Sequence, residues 1–213
     1  MAISFSGSSQ SYYSASTPVT AVPLTIACWM NKPSTTTAGF VAGIMREAGA
    51  LWYGFYLFAG DNGKIYAAVA DNNVFGSAEA TTSYSANTWQ HICGVFSSNT
   101  SRTVYLDGAS SATNTASVTP TIRDIVTIAA ARKAGNVDNY LNGSLAEVAI
   151  WSAALTEAEV KSLSAGMSPK LVRPQSLALY LPLIRSAQDQ KAALAFTTQG
   201  SPTAASHPRV YLQ

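Results

Sequence analysis

Leu51-Trp52-Tyr53-Gly54-Phe55-Tyr56-Leu57-Phe58-Ala59, then Gly60-Asp61-Asn62-Gly63, then Lys64-Ile65-Tyr66-Ala67-Ala68-Val69-Ala70: two apolar, ring-rich runs enclose a cluster of turn residues. Aromatic and β-branched side chains at this density suit extended backbone. Asn and Gly tolerate the positive φ of a tight reversal, so the stretch reads as a β-hairpin. Its first arm has no polar side. A strand with one face in water alternates apolar and polar residues with period two, and here the even and the odd positions of 51–58 are both apolar. The outward set must therefore be covered or must meet a partner. With Asn62-Gly63 as a two-residue loop, Trp52, Tyr56 and Phe58 share a face with Ile65, Ala67 and Val69, and Tyr53, Phe55, Leu57 and Tyr66 take the other. A three-residue loop exchanges the pairing, because one step of register turns every side chain over. Sequence leaves both registers open.

The same texture extends in both directions. Short β-like runs at Leu24–Met30, Gly39–Met45, Thr88–Phe96, Arg102–Leu106, Val126–Ala130 and Leu145–Trp151 are separated by turn residues, with Asp107-Gly108 marking a second reversal. Many short strands with almost no helix predict a sandwich or barrel. One helix is predicted over 157–165: Thr156 caps it, Glu159 completes a capping box, Leu155 and Val160 form a staple, and Gly166 suits the left-handed position after its end. Beyond it, Leu177–Leu183 reads as a further strand and 197–208 as irregular chain.

Composition narrows the function. The 213 residues fit one large β domain able to bury a substantial core. Charged residues make up 11% of the chain, against about 25% in ordinary globular proteins. Thirteen basic residues against eleven acidic ones leave a charge of +2, and Arg132-Lys133 is the only adjacent basic pair, so capture of nucleic acid is not expected. No apolar run approaches the roughly 20 residues of a membrane helix, and the start lacks the pattern of a signal peptide. Cys28 and Cys93 lie within apolar runs, not in a metal-type spacing, and are expected as buried free thiols.

Several segments carry a family resemblance: Phe5-Ser6-Gly7 with Tyr12-Tyr13; Leu24-Thr25-Ile26-Ala27-Cys28-Trp29-Met30; Thr88-Trp89-Gln90-His91-Ile92-Cys93-Gly94-Val95-Phe96; Val104-Tyr105-Leu106-Asp107-Gly108; and Leu141 to Trp151 followed by Ala154-Leu155-Thr156. In this order, over about residues 3–165, the chain resembles the laminin-G-like group of the concanavalin A-like lectin/glucanase superfamily. The resemblance implies an all-β jelly-roll sandwich of two antiparallel sheets. The residues agree independently: Trp29, Trp89 and Trp151 sit in strands, where large rings fill the space between sheets. His91, alternating with Trp89, Cys93 and Val95, is expected as a satisfied core or edge histidine. Residues 176–213 resemble the opening strand pattern of such domains, so they are expected to complete a single 1–213 sandwich as a permuted segment. The same ending resembles laminin-G-like proteins among bacteriophage structural genes.

Catalysis finds little support in the residues. Glucanases of the superfamily flank the glycosidic bond with a pair of carboxylates, whereas no strand here carries two acids, and no G-x-S-x-G elbow is present. Many relatives hold calcium at the sandwich rim. Where the resemblance leads one to expect an Asp before Glu147, this chain has Ala146, and Asp71-Asn72-Asn73 make turns as readily as they ligate. No cofactor and no metal is expected.

The candidate contacts are thus Trp52, Tyr53, Phe55, Tyr56, Tyr66, Asp71, Asn72 and Asn73. The reading that follows is a non-enzymatic virion protein, decorating a capsid or attaching at a tail or fibre. It would be made in a host cytoplasm and displayed on the virion surface, within a homo-oligomer or larger assembly, with other virion proteins as partners and cell-surface glycan as a second one. The alternatives are a bacterial carbohydrate-binding lectin domain and a glycoside hydrolase with unrecognised acids.

Overall fold

The computed structural model describes residues 1–48, 51–121, 123–133 and 136–211. Its strands are β1 (Ala2–Ser6), β2 (Ser11–Ser14), β3 (Leu24–Asn31), β4 (Gly39–Met45), β5 (Gly54–Ala59), β6 (Ile65–Asp71), β7 (Val74–Glu79), β8 (Gln90–Ser98), β9 (Ser101–Leu106) and β10 (Ala109–Asn114). They continue as β11 (Ile125–Ile128), β12 (Ala131–Lys133), β13 (Asn136–Asp138), β14 (Asn142–Trp151), β15 (Leu177–Leu181), β16 (Thr197–Gln199) and β17 (Thr203–Ala205). One sheet runs β10-β9-β8-β3-β14-β1-β17, with β15 also on β14, and the other runs β16-β2-β11-β4-β5-β6-β7. Paired strands in both are antiparallel, and β12 and β13 form a small separate ribbon.

The main core lies between the sheets. Ile26, Cys28 and Met30 of β3 and Phe96 of β8 belong to the same buried cluster as Phe55 and Leu57 of β5 and Val69 of β6. Both thiols are buried and free.

Helix α1 (Glu157–Ser164) packs on the outer side of the first sheet, where Val160 and Leu163 meet Trp151, Cys93 and Ala27. Its capping box is formed as expected, with Thr156 accepting from the Glu159 N–H and Glu159 accepting from the Thr156 N–H. Gly166 adopts φ +96 just beyond it. Contrary to the expectation that Trp29, Trp89 and Trp151 fill the space between the sheets, Trp151 packs beneath this helix, its indole N–H donating to the Val172 carbonyl at 2.8 Å. Trp29 and Trp89 are only partly buried, Trp89 lying just before β8. His91 is a core residue beside Trp29, with ring centroids 5.6 Å apart. Contrary to the expectation of a satisfied histidine, its Nδ1 finds no hydrogen-bond partner among the described residues.

β14 organises the C-terminal region. One edge pairs with β3, and the other is shared end to end: Asn142–Leu145 pair with β1, and Val148–Trp151 pair with β15. Leu181 sits opposite Val148 and Ile3 opposite Leu145, so the late strand and the first strand lie in one line. Glu147 occupies the junction at φ +54. Residues 197–205 are not irregular throughout, since β16 pairs with β2 and β17 with β1.

Candidate functional site

The opening hairpin closes with three residues in its loop. The Gly60 N–H donates to the Lys64 carbonyl at 2.8 Å, Ala59 pairs with Ile65 and Phe58 with Tyr66, and Gly63 supplies the turn with φ +75. This register sends Phe55, Leu57, Ile65, Ala67 and Val69 into the core and leaves Tyr56, Phe58, Tyr66 and Ala68 on the outer face of the second sheet. Phe55 is therefore not a surface contact. It is 1% exposed, with its ring 5.2 Å from Phe96, because the odd positions of β5 supply the inter-sheet packing.

Trp52 lies just before β5 and belongs to the outer set. Its backbone is held by one residue of the neighbouring turn: Trp52 N–H donates to Asn73 Oδ1 at 2.9 Å, and Asn73 N–H donates back to the Trp52 carbonyl at 3.3 Å. Asn72 and Asn73, at φ 52 and 62, form the two-residue loop between Asp71 and Val74. Asn72 Oδ1 accepts from the Tyr53 hydroxyl at 3.2 Å, and the Arg46 guanidinium lies 4.8 Å above the Tyr53 ring. Asp71 accepts from the Thr121 N–H and hydroxyl at 3.1 and 3.2 Å. Asn73 thus holds Trp52, Asn72 holds Tyr53 and Asp71 holds Thr121, and none of Tyr53, Asp71, Asn72 and Asn73 lines the groove that the outer rings form.

The outer rings form a groove of about 450 Å³. Tyr56 stacks on Phe40 at 5.4 Å, and Trp52 leans on Tyr56 at 5.4 Å and on Phe75 at 6.4 Å. Phe58 and Tyr66 stand on the same wall, and Asp61, Ser77 and Asn139 bring oxygen and nitrogen to the rim. Burial raises the Tyr56 phenol above its ordinary pKa. It also raises that of Tyr66, whose hydroxyl accepts from Asn62 Nδ2 at 2.7 Å. Gly43 is the structural permission for the stack: a Cβ there would lie 2.5 Å from the Tyr56 Cβ and 2.8 Å from the Phe40 ring.

Phe75, 52% exposed, is a groove residue that sequence reading missed, together with β7 itself. The signal was present, since Asn72-Asn73 flanked by Ala70 and Val74-Phe75 is a hairpin pattern. Phe40 and Asn139 carried no comparable mark.

A second cluster surrounds the β14 junction. Glu147 accepts from the Tyr180 hydroxyl at 2.6 Å, and its other oxygen lies 3.1 Å from His207 Nε2. His207 Nδ1 lies 2.7 Å from the Pro208 carbonyl. Nε2 is within ion-pair distance of Glu147 without well-directed hydrogen-bond geometry, and the nearby carboxylate favours the imidazolium and raises the His207 pKa.

Oxygens of the residues weighed for calcium take part in the fold. Ala146 is fully buried and offers no oxygen from its side chain, and the oxygens of Asp71, Asn72 and Asn73 accept hydrogen bonds from Thr121, Tyr53 and Trp52. No group of three or more His, Cys, Asp or Glu side chains among the described residues is arranged to hold a metal ion.

A family model described as the concanavalin A-like lectin/glucanases superfamily matches residues 6–161. No curated protein matches the chain by sequence. Among solved structures, a heptameric SAP-like pentraxin from Limulus polyphemus is similar at TM-score 0.69 and 15% identity, with 99% of this chain and 97% of that one covered. A putative carbohydrate binding protein from Bacteroides ovatus is similar at TM-score 0.71 and 18% identity over 100% of this chain and 61% of that one. The CBM40 of the Ruminococcus gnavus IT-sialidase, bound to α2,3-sialyllactose, is similar at TM-score 0.65 and 13% identity over 76% and 96%. At these identities the likeness concerns the fold.

Proposed function

This chain belongs to the concanavalin A-like lectin/glucanases superfamily, and on that premise we propose that it is a non-catalytic carbohydrate-binding protein that takes sugar in the groove on the outer face of its second sheet. The observation that carries this reading is the set of half-buried rings of Trp52, Phe58 and Tyr66 beside the buried Tyr56, lining a groove edged by Asp61, Ser77 and Asn139. Ring faces suit the C–H face of a pyranose, and polar rim groups suit its hydroxyls. The volume, about 450 Å³, lies within the ordinary range for small-ligand sites. Similar folds in a carbohydrate-binding protein and a sialidase CBM40 support the same reading.

Binding without bond cleavage follows from the lining. Glycosidic hydrolysis uses two carboxyl groups about 5–10 Å apart, and Asp61 is the only carboxylate among the described lining residues. A glycan array with titration of its hits tests the proposal. Trp52→Ala is expected to weaken binding at least tenfold, about 1.4 kcal/mol, with the cooperative melt retained. Undiminished binding by that folded variant would remove the groove from the function.

Attachment to a virion is the second reading, and one observation favours it. Phe75, 52% exposed at the groove's edge, and its neighbour Val74, 60% exposed on the same edge strand, are apolar anchors of the kind that protein interfaces bury. Co-sedimentation with purified particles, abolished by Phe75→Ser, is the expected result there. Particles that pellet without the protein would leave the sugar-binding reading alone.

A further inference from the structure

Resting on the groove being a sugar site, we propose that it selects neutral glycans and discriminates against those bearing a carboxylate, such as sialylated or uronate-containing oligosaccharides. A bound carboxylate gives up hydration and needs a cation or a set of donors in exchange. Among the described residues that line the groove there is no Lys, Arg or His, and the one charged side chain, Asp61, is exposed and negative.

The neighbouring cations have partners of their own. Lys133 lies over the outer Trp52 ring at 4.6 Å and pairs with Asp138 at 3.0 Å. Lys64 directs its Nζ to the Thr81 carbonyl at 2.6 Å. A second carboxylate, Glu79, stands near the Tyr66 hydroxyl, and after burial it and Asp61 add to the rise of that phenol's pKa. A sugar carboxylate entering there would meet the charge of Asp61, a second negative charge close by, and no positive group among the described lining residues to replace its water. A neutral sugar meets none of this. Its hydroxyls can donate to Asp61 and exchange hydrogen bonds with Ser77 and Asn139, while its C–H faces cover the rings.

The test is an array of matched pairs, each neutral oligosaccharide beside its sialylated or uronate-bearing counterpart, read at low and high salt and followed by titration calorimetry. Lactose with 3′-sialyllactose is one such pair. Neutral members are expected to bind at least tenfold more tightly than their partners. Asp61→Asn should narrow that ratio, and added salt should narrow it in the wild type, because the exposed Asp61 charge is screened. If a carboxylate-bearing glycan binds as tightly as its neutral counterpart, and Trp52→Ala abolishes both, the selectivity is overturned and the groove stands as the sugar site. If no glycan on the array binds, or binding ignores Trp52→Ala, the groove reading falls and the selectivity with it.

Discussion

At the scale of single residues, the site depends on one absence. Gly43 pairs with Tyr56 across β4 and β5, and its missing side chain is what allows the Phe40 and Tyr56 rings to lie 5.4 Å apart. A methyl group at that position would press on the Tyr56 Cβ and the Phe40 ring at once. Overpacking of this kind typically costs about 1–3 kcal/mol, and the strain would be relieved by tipping the stack on which Trp52 leans. Gly43→Ala is thus expected to lower the denaturant midpoint and to weaken glycan binding together, as measured by urea unfolding and calorimetry. Unchanged values in both would show that the stack does not set the groove's shape. This residue was illegible in the sequence, where Gly43 is one small residue inside an apolar run. Trp52, Tyr56 and Tyr66 were legible because a strand apolar on both sides has to explain its outer rings. Phe55 was misread for the same reason: the residue type was informative, and the face depended on a loop length that composition does not specify.

Turns and shared edges decide the larger arrangement at the scale of elements. The Asp61-Asn62-Gly63 loop chooses which half of β5 faces outward, and the Asn72-Asn73 loop both pairs β6 with β7 and holds Trp52. Strands β3, β4, β5, β6, β8, β9, β11, β14 and β15 and the helix were readable because they carry apolar runs or a capping box, whereas β1 and β2, though interior to their sheets, are short and show none. The short edge strands β7, β16 and β17 were not readable, since half-exposed edges need few apolar residues. The C-terminal segment has a larger role than its composition announces. Leu179, Leu181 and Leu183 are fully buried in the core between the sheets, and β15 takes the stretch of β14's edge that β1 leaves free. Removing 176–213 would uncover Val148–Trp151 on that edge, together with the apolar surface beneath it. Each large aliphatic side chain lost from a core costs about 2–5 kcal/mol, and the sum over three leucines is comparable to the whole stability of an ordinary domain. The truncated chain is expected to be insoluble or to lack a cooperative transition. A soluble product with a sharp melt would show that β15 merely decorates a sandwich already complete.

The whole molecule carries few charges, so a handful of buried ionisable groups should shape its response to pH. His91 is 2% exposed, and burial holds its pKa down at about 3, against 6.5 when unfolded. The unfolded chain therefore binds the proton first. His91's contribution is intact above pH 6.5 and is lost as the pH falls towards 3, at up to about 1.4 kcal/mol per unit. Lys32 has the same sign in another window: burial lowers its pKa from 10.5 to about 8, so stability gains as the pH rises from 8 towards 10.5. His207 acts in the opposite sense. Glu147 raises its pKa, so its contribution is present below 6.5 and disappears as the pH rises through the folded value. The paired carboxylate of Glu159, whose pKa burial raises but the Thr156 cap and Arg173 together bring below its ordinary value, loses its contribution only below about 4.5. Between pH 6.5 and 4.5 the acid limb therefore belongs mainly to His91. Unfolding midpoints across that interval should fall with decreasing pH in the wild type and stay nearly flat in His91→Leu. An equally steep fall in the variant would place the acid sensitivity in the carboxylates and remove His91 as its source.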